Sequence, residues 1–199
     1  MDRAFQALLI ASTGGLSWLL FMVVHECGHV VTGWLSGAEL ARVCLPPLGF
    51  SRTDFAANPH PLFVAWGGPL LGVLLPLVLL AMVQITLRHK NNADRCGFLL
   101  RWFAGFCLIA NGAYLLGGSF LGGGGDDAGV ILHDGGARWQ LIGFGAATIA
   151  GGLCLWNGLG PRFGLGSSRG HVDRLAAVAT AVALLAVVAA ETLLLHAGK

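Results

Sequence analysis

Residues 16–35 read LSWLLFMVVHECGHVVTGWL, a run that is apolar almost throughout but contains two histidines and a glutamate. A hydrocarbon core of about 30 Å needs roughly 20 residues of helix, so this run is long enough to cross a membrane. Ionisable side chains are costly at such a position and are kept where they have partners or a function. The run therefore predicts a transmembrane helix that carries a chemical site.

The rest of the chain has the same apolar character. It is 55% hydrophobic and 11% charged, with a mean hydropathy of +0.73, which is too apolar for an ordinary soluble domain. The net charge of +2 and the lack of a long basic run disfavour nucleic acid as a partner. Five cysteines without a C-x-x-C pair indicate neither a disulfide framework nor a thiolate zinc site. No cleavable signal peptide is evident, so we expect a multi-pass protein of the plasma (inner) membrane that retains its first helix.

Five segments are long enough to span the bilayer, namely about 7–35, 62–87, 97–119, 138–159 and 172–196. The predicted fold class is an all-α polytopic membrane protein, with residues 1–199 forming a single integral membrane domain. Glycine is frequent within these segments, which in lipid predicts close helix packing.

Residues 36–61 have a different pattern. Residues 38–45 roughly alternate in polarity, residues 46–49 (PPLG) can form a turn, and residues 50–55 resemble a second short strand. This predicts a β-hairpin at the membrane surface after the first helix. A plain connecting loop is the alternative.

Basic residues predict the orientation. The loop from Arg88 to Arg95, with Arg101 beyond it, is the most basic in the chain, and the loop before the last helix contains Arg162, Arg169 and Arg174. Because positive loops favour the cytoplasmic side, we expect both loops and the N-terminus inside. The end of the first helix, the hairpin and the 118–138 loop then share the opposite side.

His25, Glu26 and His29 form an H-E-x-x-H motif, for which the chain's composition predicts only about 0.004 chance matches. Residues four apart share one face of a helix, so both imidazoles can bind one ion while Glu26 lies beside the water that a catalytic zinc binds. The motif therefore predicts a zinc site with hydrolytic chemistry. His25 and His29 lie about 15 and 9 Å before Leu35, which implies a shallowly buried site on the hairpin side.

A third ligand must reach that depth from the same side, which disfavours Asp94 and Asp173 in the basic loops. Glu191 is deep in the last helix and Glu39 adjoins the hairpin. The remaining candidates are Asp126, Asp127, His133 and Asp134, with Asp54 and His60 less favoured because they lie in the surface connection. Glycines 122–125 allow the chain to turn back into the membrane before the aspartate pair. Either one aspartate completes a two-histidine, one-aspartate site, or the pair belongs to a flexible loop with a helix cap.

The stretch MVVHECGHVVTG at 22–33, followed by a hairpin, resembles the site-2 protease family of intramembrane zinc metalloproteases. WGGPL at 66–70, Asn111 and DAGVIL at 127–132 resemble that family's later Gly-Pro, Asn and Asp-Gly segments. The similarity covers about residues 16–135, the protease core, and leaves the C-terminal helices, about 138–196, outside it. Because no PDZ-type domain is evident, the resemblance implies a compact member.

The resemblance implies that His25, His29 and Asp127 hold Zn²⁺ and that Glu26 is the general base. Asn111 either orients the substrate backbone or forms an interhelical hydrogen bond. The expected activity is hydrolysis of a peptide bond in or near the transmembrane segment of a membrane-anchored protein. We predict Asp127 over Asp126 because an apolar turn begins three residues after Asp127, whereas Asp126 lies nearer the glycine run.

The alternative function is a non-proteolytic polytopic protein that binds metal or a partner transmembrane helix. Loss of Glu26 or of a ligand would be expected in such a protein, and all are present here. A transporter, a third possibility, would have ionisable residues on several transmembrane helices, whereas here they are clustered in one place.

Overall fold

The computed structural model describes residues 2–87, 93–121 and 126–197. Within these ranges the helices and strands are, in chain order, α1 Asp2–Ser36, β1 Glu39–Cys44, β2 Arg52–Ala57, α2 Pro61–Leu87, α3 Ala93–Leu121, α4 Asp127–His133, α5 Arg138–Trp156 and α6 Arg174–Ala197. Two short 3₁₀ turns, Gly160–Phe163 and Gly166–Ser168, connect α5 to α6.

Five of these helices, α1, α2, α3, α5 and α6, are long and apolar enough to cross a membrane. The predicted all-α polytopic fold with a hairpin after the first helix is therefore confirmed. The largest shifts are at the starts of α1, which already begins at Asp2, and of α3, which begins at Ala93. Residues 88–92 of the basic loop and glycines 122–125 lie outside the described ranges. The absolute orientation stays a prediction.

Glycines bring the helices into close contact, as expected. A Cβ atom at Gly112 would lie 2.9 Å from the Gly145 carbonyl oxygen, and one at Gly152 would lie 2.7 Å from that of Gly105. The α3 and α5 backbones therefore touch at two levels, two helical turns apart. In the same way, a Cβ at Gly28 of α1 would overlap the Gly67 carbonyl of α2. Small residues allow this approach because lipid supplies no hydrophobic force between helices.

The hairpin is present, as expected, and it packs along α1; its position at the membrane surface stays a prediction. β1 and β2 pair antiparallel, and the hairpin folds back along α1. The Phe50 ring lies against Trp18, with centroids 5.6 Å apart, and a Cβ at Gly33 would lie 2.5 Å from the Phe55 ring. Trp18 precedes the end of α1 by about 27 Å of helix. The hairpin thus contacts α1 both near its end, at Gly33, and about five turns from its end, at Trp18.

The short helix α4 lies inside the bundle. Its buried side chains, Ala128 and Ile131, pack against Ala65 of α2 and Leu115 of α3. Asp126 caps the helix by accepting a hydrogen bond from the Gly129 amide at 2.7 Å. This packing fixes the start of α4 beside α1. A third metal ligand from this part of the chain is expected to lie there.

Candidate metal centre

Three ligand-type atoms from α1 and α4 converge at one point. His25 Nε2 lies 3.0 Å from Asp127 Oδ2 and 3.1 Å from His29 Nε2, and His29 Nε2 lies 3.4 Å from the same aspartate oxygen. His25 and His29 are buried, and the Asp127 side chain is largely so. Among the described residues, these three are the group of His, Cys, Asp and Glu side chains that can hold a metal ion.

The other ring nitrogen of each histidine has a fixed partner. His29 Nδ1 lies 2.8 Å from the Val64 carbonyl oxygen, which can only accept, so this nitrogen is the N–H donor. His25 Nδ1 lies 2.9 Å from Asn111 Oδ1. The Asn111 amide is oriented by its Nδ2, which donates to the Cys107 carbonyl at 2.9 Å, so Oδ1 accepts from His25. With Nδ1 of each ring as the donor, each neutral imidazole would direct the lone pair of Nε2 at the convergence point.

Three lone pairs, two from imidazoles and one from the Asp127 carboxylate, meet within 3.0–3.4 Å. They repel one another unless a proton or a metal ion lies between them. Zn²⁺ binds histidine nitrogen and carboxylate oxygen at about 2.0–2.2 Å, which for tetrahedral geometry separates ligand atoms by about 3.3 Å. The donor types and their spacing fit zinc with three protein ligands and a fourth position left for water or substrate.

Glu26 follows His25 in α1 and is buried, with 3% of its surface exposed. Its two carboxylate oxygens accept separate hydrogen bonds from the hairpin, Oε1 from Ser51 Oγ and Oε2 from Thr53 Oγ1, both at 2.6 Å. Each oxygen keeps a second lone pair. The Glu26 carboxylate is thus fixed by two hydrogen bonds and can still accept a proton.

Gly68 of α2 closes one side of the centre. A Cβ atom there would overlap His29 Nε2 and lie 2.8 Å from His25 Nε2. The centre therefore needs glycine at this position.

We predict that Gly68→Ala lowers zinc affinity at least tenfold, because the new methyl group must displace one of two histidine ligands. Competition with a zinc-binding dye would measure the change. Gly143→Ala is the matched control, since a Cβ at Gly143 meets nothing within 4 Å. Unchanged zinc affinity in the Gly68 variant would contradict the close approach of Gly68 to the two histidines.

Asn111 is expected to bind substrate, but its contacts favour another role. Its side chain is fully buried, and both amide atoms are engaged, one by His25 and one by the α3 backbone. It therefore forms an interhelical hydrogen bond, the alternative role, and orients His25, as groups next to metal ligands commonly do.

Sequence reasoning missed four contributors to this site. Tyr114 Oη accepts from the Asp127 amide at 3.1 Å, Val64 offers only its carbonyl, and Ser51 and Thr53 hold Glu26. Tyr114 lies three residues after Asn111, a helical spacing that puts both on one face. Alternation in the predicted second strand, residues 50–55, likewise puts Ser51 and Thr53 on one side. No side-chain signal identifies Val64.

The other candidate ligands are not part of the cluster. Asp126 is used as the α4 cap, and His133 forms an exposed pair with Asp134. Asp54 pairs with Arg42 at 3.0 Å, and that guanidinium holds the pKa of the Asp54 carboxyl below its usual range.

Glu191 is also separate from the centre. Both of its oxygens are buried, without a hydrogen-bond partner among the described residues. The less favoured candidate His60 also lies outside the group, as do Glu39 and Asp173. Asp173 instead accepts from the Leu175 amide at the start of α6.

In comparisons with known proteins, no family model, no curated protein and no solved structure matches this chain.

Proposed function

We propose that this protein is an intramembrane zinc metalloprotease of the plasma membrane. It hydrolyses a peptide bond in or near the transmembrane segment of a membrane-anchored protein. The observation that carries the proposal is the convergence of three lone pairs from His25, His29 and Asp127 beside the held carboxylate of Glu26. The resemblance to site-2 proteases noted from the sequence agrees with this arrangement.

The chain's residues would hold one zinc ion through His25 Nε2, His29 Nε2 and Asp127 Oδ2. When bound, zinc supplies Lewis-acid activation of a water molecule and of the substrate carbonyl. Val64 and Asn111 hold the imidazoles with Nε2 facing the ion, which fixes both the tautomer and the ring orientation.

Glu26 moves the protons. Its carboxylate accepts one proton from the attacking water and then delivers it to the nitrogen of the leaving amine. One water and one peptide bond are consumed, and one carboxyl and one amine group are formed. Glu26 returns to its starting state, as a general base and acid must.

The location of the site restricts the substrate. His25 and His29 lie on a helix that is long and apolar enough to span the membrane, and both are buried in the bundle. A substrate chain that is itself held in the bilayer can present its backbone at this depth. This supports a membrane-anchored protein as the substrate class.

Removal of the metal tests the proposal. We predict that 1,10-phenanthroline abolishes cleavage by the purified protein in vesicles that also contain fluorescently tagged single-span membrane proteins. One equivalent of Zn²⁺ should restore cleavage, whereas Mg²⁺ should not, because two imidazoles and one carboxylate favour zinc. The readout is the appearance of tagged fragments, with the cut located by mass spectrometry.

The metal should also stabilise the fold. A ligand at about 100 times its dissociation constant adds about 2.7 kcal/mol of stability, so the apoprotein should unfold at a lower temperature. Cleavage that continues without metal, with cuts in the same place, would contradict a metalloprotease.

A further inference from the structure

Two hydroxyl groups of the hairpin hold the carboxylate of Glu26. Ser51 Oγ donates to Oε1 and Thr53 Oγ1 donates to Oε2, each at 2.6 Å, so each oxygen has one short bond to a hydroxyl. Hydrogen bonds to an ionised acceptor are shorter and about twice as strong as those between neutral groups. Ser51 directly precedes β2 and Thr53 lies within it, and both hydroxyls are on the side of the hairpin that meets Glu26.

The part of the hairpin that contains Ser51 and Thr53 is itself packed against α1. On one side of the hydroxyl pair, Phe50 packs on the ring of Trp18. On the other, Phe55 fills the space left by the missing side chain of Gly33. The hydroxyls are therefore held at a fixed level on the helix.

If the proposed function is correct, there is a chemical reason for fixing the Glu26 carboxylate by hydrogen bonds. Glu26 follows His25 directly, and a carboxylate is itself a good zinc ligand. Next to a dication with only three protein ligands, a free glutamate is drawn towards the fourth position. If it occupied that position, the base would be lost and water would be displaced from the metal.

We propose that Ser51 and Thr53 are positioning residues that keep Glu26 out of the metal's coordination sphere. They do so by engaging both carboxylate oxygens from the hairpin side. The hairpin thus takes part in the catalytic centre without touching the metal, and it keeps the fourth position open.

The test uses Co²⁺ in place of zinc in the full-length protein, because the visible spectrum of bound Co²⁺ responds to its ligands. In the double variant Ser51→Ala/Thr53→Val, we expect Glu26 to join the metal. The spectrum should change, and Co²⁺ affinity should rise by about tenfold or more, on the scale known for changes around ligands. Addition of Glu26→Gln to the double variant should restore the wild-type spectrum and cancel the gain in affinity.

The sign of the affinity change separates this role from a merely structural one. If the hydroxyls only support the fold, their removal lowers Co²⁺ affinity or leaves it unchanged, and either result overturns the proposal. The exchange Ser51→Thr/Thr53→Ser keeps both hydroxyls and should behave as wild type. Thr86→Val removes an exposed hydroxyl of α2 that bonds only its own helix, and it is the matched control.

The single variants Ser51→Ala and Thr53→Val protect the test against a double variant that does not fold. Each frees one oxygen and should show part of the spectral change. A wild-type protein that binds no Co²⁺ would contradict the proposed metal centre itself. Normal binding by the wild type with an unchanged double variant would overturn only the role of the hairpin.

Discussion

Replacement of Asp127 with alanine is expected to lower the zinc affinity of this protein by more than about 100-fold, beyond the range for residues that only support ligands. Asp127 Oδ2 lies within 3.4 Å of both Nε2 atoms, and its charge offsets part of the charge of the ion. Its removal leaves two neutral ligands. Metal content after dialysis and dye competition would measure the loss.

Asp126→Ala is the matched comparison, because it removes the neighbouring carboxylate without removing a ligand atom. Asp126 caps α4, and loss of such a cap costs about 1 kcal/mol of helix stability. We expect at most a 10- to 100-fold change in affinity through a less rigid α4. The reverse ranking of the two variants would move the ligand to Asp126. No effect from either would direct the search to His133 and Asp134.

Much of the fold could be predicted because its signals are local. Segments of about 20 apolar residues need no tertiary information to indicate helices. Alternation and a Pro-Pro-x-Gly turn similarly indicated the hairpin, which forms as β1 and β2. His25 and His29 share a face through helix geometry alone, and the turn after Asp127 indicated which aspartate faces them.

The contacts between distant segments could not be predicted in this way. The packing of the hairpin along α1 depends on the fit between the two, where Phe55 fills the space beside Gly33, and no local pattern encodes that fit. The role of Asn111 depends on the rotation of α3, which directs the amide at His25. In the sequence, Ser51 and Thr53 are ordinary residues of a predicted strand. Their role becomes evident only when the hairpin lies beside Glu26.

Glu26→Gln is the second large effect that we expect. Glutamine has almost the same shape, and its amide can still bond the hairpin hydroxyls, one of which would then accept. It cannot take a proton from water, so cleavage should fall by about 10²- to 10⁴-fold, the usual contribution of a positioned base. Zinc binding should persist because all three ligands remain.

The most direct measurement is zinc content and cleavage of tagged single-span membrane proteins, determined side by side for wild type and Glu26→Gln in vesicles. We predict about one zinc per chain in both proteins and fragments only with the wild type. Substantially less zinc in the wild type would contradict the metal centre. Full zinc with equal cleavage by both proteins would contradict the role of Glu26. Full zinc with no cleavage by either protein would instead support a metal-binding membrane protein without protease activity.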